Sequence, residues 1–225
     1  MASKDVSTES EIAPIERSTL HDVVVTRLRD MIIEGQLLAG NRVHEGDLCQ
    51  QLGISRTPLR EALKVLAMEG LVELNPGRGA TVRKLTAKDI QDMLSVLSVL
   101  ENLAGRLTCQ MATDEDIREV RRLHDEMLSF YAAGDSLPYF KRNQQIHSLL
   151  ITLSGNESLA LVHDLLQTRL KRIRYIGDRK PDTWSAAVAD HEEMITALEA
   201  RDGEKLSAAL VEHLSSTWDR VKDEI

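Results

Sequence analysis

Apolar residues at Leu20, Val24, Leu28 and Met31 or Ile32 recur at helical spacing, with Arg27, Arg29 and Asp30 largely opposite. The pattern predicts a helix from a Ser18 cap to about Glu34, stopped by Gly35. A loop over 36–42 turns at Gly40-Asn41, and Val43 or His44 is placed to form one short strand. A short helical run, Glu45 to Gln51, leads into Leu52-Gly53-Ile54, where Gly53 supplies the freedom that a sharp helix-to-helix turn needs. Ser55 is then a good N-cap and Pro58 sits in the first turn of a new helix. Leu59, Leu63, Leu66 and Ala67 form its inward face, and it ends at Gly70. Leu71 to Leu74 and Ala80 to Arg83 read as short strands around Asn75-Pro76-Gly77-Arg78-Gly79. Helix, helix, turn, helix, hairpin is the order of a winged helix-turn-helix domain.

The second half is helical throughout. A wide apolar stripe (Ile90, Met93, Leu94, Leu97, Leu100, Leu103, Ala104, Leu107) predicts a long helix over 87–111 capped by Thr86. Thr113-Asp114-Glu115-Asp116 has the form of a capping box for the next helix, which runs to about Gly134. Further helices are expected over Leu137–Leu153, Ser158–Ile176, Thr183–Arg201 and Gly203–Lys222, with breaks at Ser154-Gly155-Asn156 and Gly177. Short connections between six helices predict an antiparallel bundle. The fold class is therefore mostly α: a polar, disordered arm over 1–17, a winged helix-turn-helix domain over 18–84, and a helical domain over 85–225.

Charge separates the two halves. Residues 17–88 carry eleven Lys or Arg against eight Asp or Glu, a net of +3, whereas residues 89–225 carry sixteen against twenty-four, a net of −8. Only the first half suits a polyanion, so the overall charge of −8 does not exclude DNA binding. Aromatics make up 3% of the chain, which favours aliphatic helix packing over a sheet-rich core. Cys49 and Cys109 lie in different predicted domains, and the chain shows neither a secretory h-region nor a run of roughly 18 apolar residues. A reduced, cytoplasmic protein with no membrane partner is the expectation.

Two constellations carry candidate chemistry. Arg56, Thr57 and Arg60 lie on the first turns of the second helix, clear of its apolar face, where arginine can pair bidentately with guanine in the major groove. The alternative is a solvated amphipathic helix with two arginines. Gly77 and Arg78 at the hairpin tip would set backbone and a cation beside phosphates. In the bundle, Asn143 and His147 stack one turn apart, and His191 and His213 sit near the inward stripes of two later helices. Three imidazoles and one oxygen donor suit a first-row divalent metal with positions open to water or a ligand; a metal-free polar pocket is the alternative. His21, His44, His124 and His163 match no ligand pattern and read as solvated or structural. Arg169 and Arg172, three apart on one helix, either meet an anionic effector or form a solvated face. A different class, a metal-dependent hydrolase or lyase, has only Glu192 and Glu193 beside His191 as bases.

Glu34-Gly35, Leu38-Ala39-Gly40, the run Leu52-Gly53-Ile54-Ser55-Arg56-Thr57-Pro58-Leu59-Arg60-Glu61-Ala62-Leu63, Glu69-Gly70-Leu71-Val72 and Gly77-Arg78-Gly79 resemble the GntR family of bacterial transcription regulators. The resemblance implies that Arg56 and Arg60 touch the operator and that Gly77 lets backbone approach the minor groove. The basic residue that the preceding helix often offers is missing near Gly46. Asn143 to His147, Ser154-Gly155-Asn156, His191 to Ile195 and His213-Leu214 are similar to the effector domain of the FadR-type branch in its six-helix, VanR-like form. There the four matching positions line a cavity whose zinc or similar ion holds a small carboxylate. Asn143 stands where many relatives have Asp, and the arginine often found on the first bundle helix is replaced near Leu97. The implied function is a homodimeric, ligand-responsive repressor that reads a pseudo-palindromic double-stranded operator with recognition helices about 34 Å apart.

Overall fold

The computed structural model describes residues 20–177 and 184–222. The predicted N-terminal arm, the Ser18 cap and the Thr183 helix start lie outside them. The described order is α1 (Leu20–Ile33), α2 (Glu45–Leu52), α3 (Arg56–Met68), β1 (Val72–Asn75), β2 (Gly79–Val82), α4 (Ala87–Met111), α5 (Asp114–Ala133), α6 (Ser136–Leu153), α7 (Glu157–Gly177), α8 (Trp184–Glu199) and α9 (Gly203–Val221). None of these helices is long and apolar enough to cross a membrane.

In the N-terminal unit, α1 and α3 bury Leu28, Ile32, Leu59, Ala62, Leu63 and Leu66 against Val72, Ala80 and Val82 of the hairpin. Gly53 ends α2 in the left-handed region at φ 66°, and the backward bond from Ile54 N to Cys49 O sharpens the turn into α3. Ser55 holds the N-cap position with extended backbone but makes no capping bond. The cause is local: α3 begins at Arg56, so Pro58 fills the third helical position and has no N–H to offer the serine hydroxyl. The hairpin pairs Val72 with Val82 and Asn75 with Gly79. The extra bridge runs from Arg42 to Thr81, one or two residues earlier than the predicted strand at Val43 or His44, because Val43 is turned into the core.

Six helices form the C-terminal bundle. Thr86 and Thr113 each close a capping box, with Asp89 and Asp116 respectively, as their spacing predicts. The helices α4 and α9 approach so closely that a Cβ on Gly105 would lie 2.8 Å from the Ser207 backbone. Val120, Met127, Ile146, Leu150, Ile195 and Leu198 form the main core between α5, α6 and α8. Beside this core a second, polar interior opens, and it contains every candidate ligand of the bundle.

Candidate DNA-binding face and metal centre

The inward residues Leu59, Ala62, Leu63 and Leu66 fix which side of α3 remains outside. Ser55, Arg56, Thr57 and Arg60 are exposed there, and Gly77 and Arg78 are exposed at the hairpin tip, where Gly77 has φ 71° and Arg78 N closes the turn on Asn75 O at 2.9 Å. A groove of about 810 Å³ runs between α2, α3 and the hairpin. Arg56 and Arg60 line it, together with two cations that pattern reading did not single out, Arg42 and Lys64. Lys64 continues the Arg56, Arg60 series at four-residue spacing and was visible in the sequence. Arg42 reaches the groove through its bridge to Thr81, a long-range pairing that no local pattern reports. Arg42 thus puts a cation from the preceding loop into the groove that Gly46 also lines. Arg60 is not idle in the free protein: its Nε donates to Glu45 Oε2 at 2.8 Å.

Three helices converge on the second site. His147 from α6, His191 from α8 and His213 from α9 place one ring nitrogen each within 4.8 Å of the others, with ring centroids 4.9–5.0 Å apart. All three rings are buried, as is Asn143 one turn before His147. Burial holds each of the three well below the usual histidine range, reinforced at all three by the Arg174 guanidinium, at His147 and His191 by neighbouring imidazoles and at His213 by Arg220. The rings are neutral at pH 7, so their lone pairs are available to a metal. Five of the six ring nitrogens have no hydrogen-bond partner among the described residues, and the sixth, His213 Nδ1, faces Asp190 Oδ2 at 3.1 Å. Dry, unpartnered imidazole nitrogens cost about 1–3 kcal/mol each. A divalent cation relieves that cost, and Asp190 already holds His213 with Nε2 aimed at its neighbours, the usual support for a metal-binding histidine. The donor set therefore fits a metal.

Other polar side chains share this interior. His124 and His163 prove buried, not solvated: His124 stacks on His191 with centroids 6.2 Å apart, and His163 Nε2 lies 3.0 Å from Glu101 Oε1. Gln167 Nε2 donates to the same Glu101 oxygen, and Arg174 Nη1 donates to Gln167 Oε1 at 2.8 Å. Arg174 from α7 is the cation whose charge acts on all three clustered histidines. Arg169 and Arg172 are not brought to the histidine cluster. Their side chains leave the opposite side of α7 and donate to Glu69 O at 3.0 Å and Ile32 O at 2.7 Å in the N-terminal unit.

Residues 92–216 match the FCD domain, and residues 20–82 match the bacterial regulatory proteins of the gntR family. The chain belongs to the gntR family of bacterial regulatory proteins. As a gntR-family member it is a DNA-binding transcription regulator and not an enzyme, and the hydrolase alternative falls. It is 32% identical to the Nta operon transcriptional regulator of Aminobacter aminovorans over 85% of this chain and 89% of that one. It is 30% identical to the probable D-xylose utilization operon transcriptional repressor of Paenarthrobacter nicotinovorans, covering 86% of each. The solved structure of E. coli McbR/YncC superposes with a TM-score of 0.80 at 21% identity, over 92% of this chain and 99% of that one, and shows the same fold.

Proposed function

We propose that this regulator is a homodimeric, cytoplasmic repressor of the FadR-type, VanR-like branch, released from its operator by a small carboxylate held at a divalent metal in the bundle. The observation that carries the effector reading is the buried, neutral triad of His147, His191 and His213. Those residues and Asn143 would hold the ion, zinc by donor type, and the ion supplies positive charge and open positions for a carboxylate. Asn143 contributes a neutral oxygen where a carboxylate would bind more strongly, so the ion depends chiefly on the three imidazoles. Arg174 adds a second positive charge above the same interior. On DNA, Ser55, Arg56, Thr57 and Arg60 read the major groove, with Gly77 and Arg78 against the adjacent backbone. The repressor sign follows the Paenarthrobacter relative. By linkage, an effector that weakens operator binding is itself bound more weakly on DNA by the same factor.

A thermal-shift screen tests the effector site. At one hundred times its dissociation constant, a carboxylate such as citrate should stabilise the zinc-loaded chain by about 2.7 kcal/mol, a rise in Tm of roughly 5–10 °C. It should leave the chelated chain unmoved. Equal shifts with and without zinc would remove the metal from the proposal.

The dimer reading is supported by an exposed apolar face. Val96, Val99 and Leu103 on α4 and Leu161, Val162 and Leu165 on the adjoining α7 stay exposed, whereas Leu100 and Leu159 beneath them join the two helices. Such a continuous patch is unusual on a monomer. Val99→Asp with Leu161→Asp should convert a dimer of about twice the chain mass to a monomer in sedimentation velocity, and a wild-type monomer would end the dimer proposal.

A further inference from the structure

A second cavity, of about 150 Å³, lies at the seam between the DNA-binding unit and the bundle. Its floor is apolar, with Leu71 from the first unit and Ile173 from α7 among the residues that form it. Four cations stand around it: Arg83 and Lys84 on the linker, and Arg169 and Arg172 on α7. Arg169 spends its Nε on Glu69 O and Arg172 spends Nη1 on Ile32 O, which leaves most of the five N–H donors of each guanidinium for another partner. Among the described residues no carboxylate lies within ion-pair distance of any of the four. Burial pushes the Arg172 guanidinium down from its ordinary value, as expected for a partly desolvated cation without a counter-charge.

Two glycines shape this seam. A Cβ on Gly70 would sit 2.6 Å from Arg169 Nε, and one on Gly35 would sit 3.2 Å from Arg172 Nη1. Both positions also have positive φ, and each guanidinium lies directly against the backbone that ends α3 or α1. Cations are favoured at these carbonyl-rich helix ends, yet each arginine carries a full charge against the roughly half-charge of the helix end it meets.

We propose that the seam cavity is a second ligand site, separate from the histidine cluster, for a small organic anion whose charged head meets Arg169 and Arg172 and whose short apolar body lies on the floor. A guanidinium fork suits carboxylate and phosphate heads alike, and the apolar floor selects for a body of a few methylenes. Since Arg169 and Arg172 also hold the ends of α3 and α1, occupancy ties the recognition helix to α7 and biases its placement on the operator.

Calorimetric titration of the full chain, first freed of metal by chelation so that the histidine site cannot hold a carboxylate, with pentanoate, acetate and inorganic phosphate tests this. Pentanoate should bind once per chain and roughly tenfold or more tighter than acetate, on account of its three additional methylenes. Arg172→Gln and Arg169→Gln should each weaken it at least tenfold, with thermal unfolding of the unliganded chain used to confirm that both variants fold. Arg172→Lys keeps the charge but loses the fork, and should fall between. His213→Ala should leave pentanoate binding unchanged, which separates this site from the metal-dependent one. Phosphate binding that outranks pentanoate and disappears in Arg172→Gln would support the anion site and assign it a phosphorylated ligand. Failure of both pentanoate and phosphate to bind, or binding untouched by the two glutamine variants, would overturn the proposal.

Discussion

Replacing Arg56 and Arg60 together by alanine is expected to lower operator affinity by about two orders of magnitude or more, since each lost base contact costs about 1–3 kcal/mol and a dimer loses both sets. Both side chains leave the exposed face of α3 while Leu59 and Leu63 anchor the opposite face, so the substitutions remove contacts without touching the core. The companion variant Glu45→Gln should move the other way. In the free protein Glu45 accepts from Arg60 at 2.8 Å, and that pair, exposed on its Arg60 side, must open before Arg60 reaches a base. The pair is worth at most about 1 kcal/mol, so the gain is a few-fold. Fluorescence anisotropy over a salt series measures both. Unchanged affinity in the double variant would remove α3 from the interface, and weaker binding by Glu45→Gln would show that the glutamate positions Arg60 instead of restraining it. Arg42 and Lys64 in the same groove should influence the salt slope more than sequence preference, as phosphate contacts do.

The order of elements in both domains was legible because these boundaries carry their own chemistry: Gly53 at the turn, Thr86 and Thr113 at capping boxes, Gly134 at a left-handed helix end. Ser55 marked the start of α3 correctly but makes no capping bond for an equally local reason, since Pro58 removes the donor that its hydroxyl would meet. Pairing of Arg42 with Thr81 was not legible, because a bridge across 39 positions depends on how the hairpin folds back. In the bundle, Asn143 and His147 were readable as one face from their spacing, whereas the arrival of His191 and His213 beside them was implied by a resemblance and not by any periodicity. Glu101, His124, His163 and Arg174 show the limit of periodicity. A polar residue on a helix is solvated unless a neighbouring helix covers it, and here α4, α5 and α7 cover one another around a polar interior. Arg169 and Arg172 lie in the same run as Arg174, yet helical rotation sends them toward the first unit and Arg174 toward the histidines.

Single replacement of His147, His191 or His213 by alanine is expected to reduce bound metal from about one per chain to near zero in protein dialysed against buffer without metal. Each imidazole is one of three in the buried group among the described residues, and the proposed fourth ligand, Asn143, is a neutral amide. Loss of a supporting contact alone weakens metal sites by about 10- to 100-fold, which sets the expectation for Asp190→Asn, and loss of a ligand must exceed it. Elemental analysis reads the difference, and equal metal content in all four variants would end the site. The same burial gives the metal-free chain a pH signature. Unfolded histidine binds a proton near pH 6.5, whereas the three folded rings resist protonation to well below that. Stability is therefore complete above about pH 6.5 and falls as the pH drops below it, because the unfolded chain takes up protons that the folded chain refuses, with a limiting slope of about 4 kcal/mol per pH unit for three rings. Urea denaturation of the chelated chain at pH 7.5 and 5.5 should show that loss. Zinc held by the folded triad would add stability that the unfolded chain lacks, and its addition should carry the fall to lower pH. A chelated chain equally stable at both values would mean that the imidazoles are hydrated in solution, and the dry, metal-ready cluster would have to be abandoned.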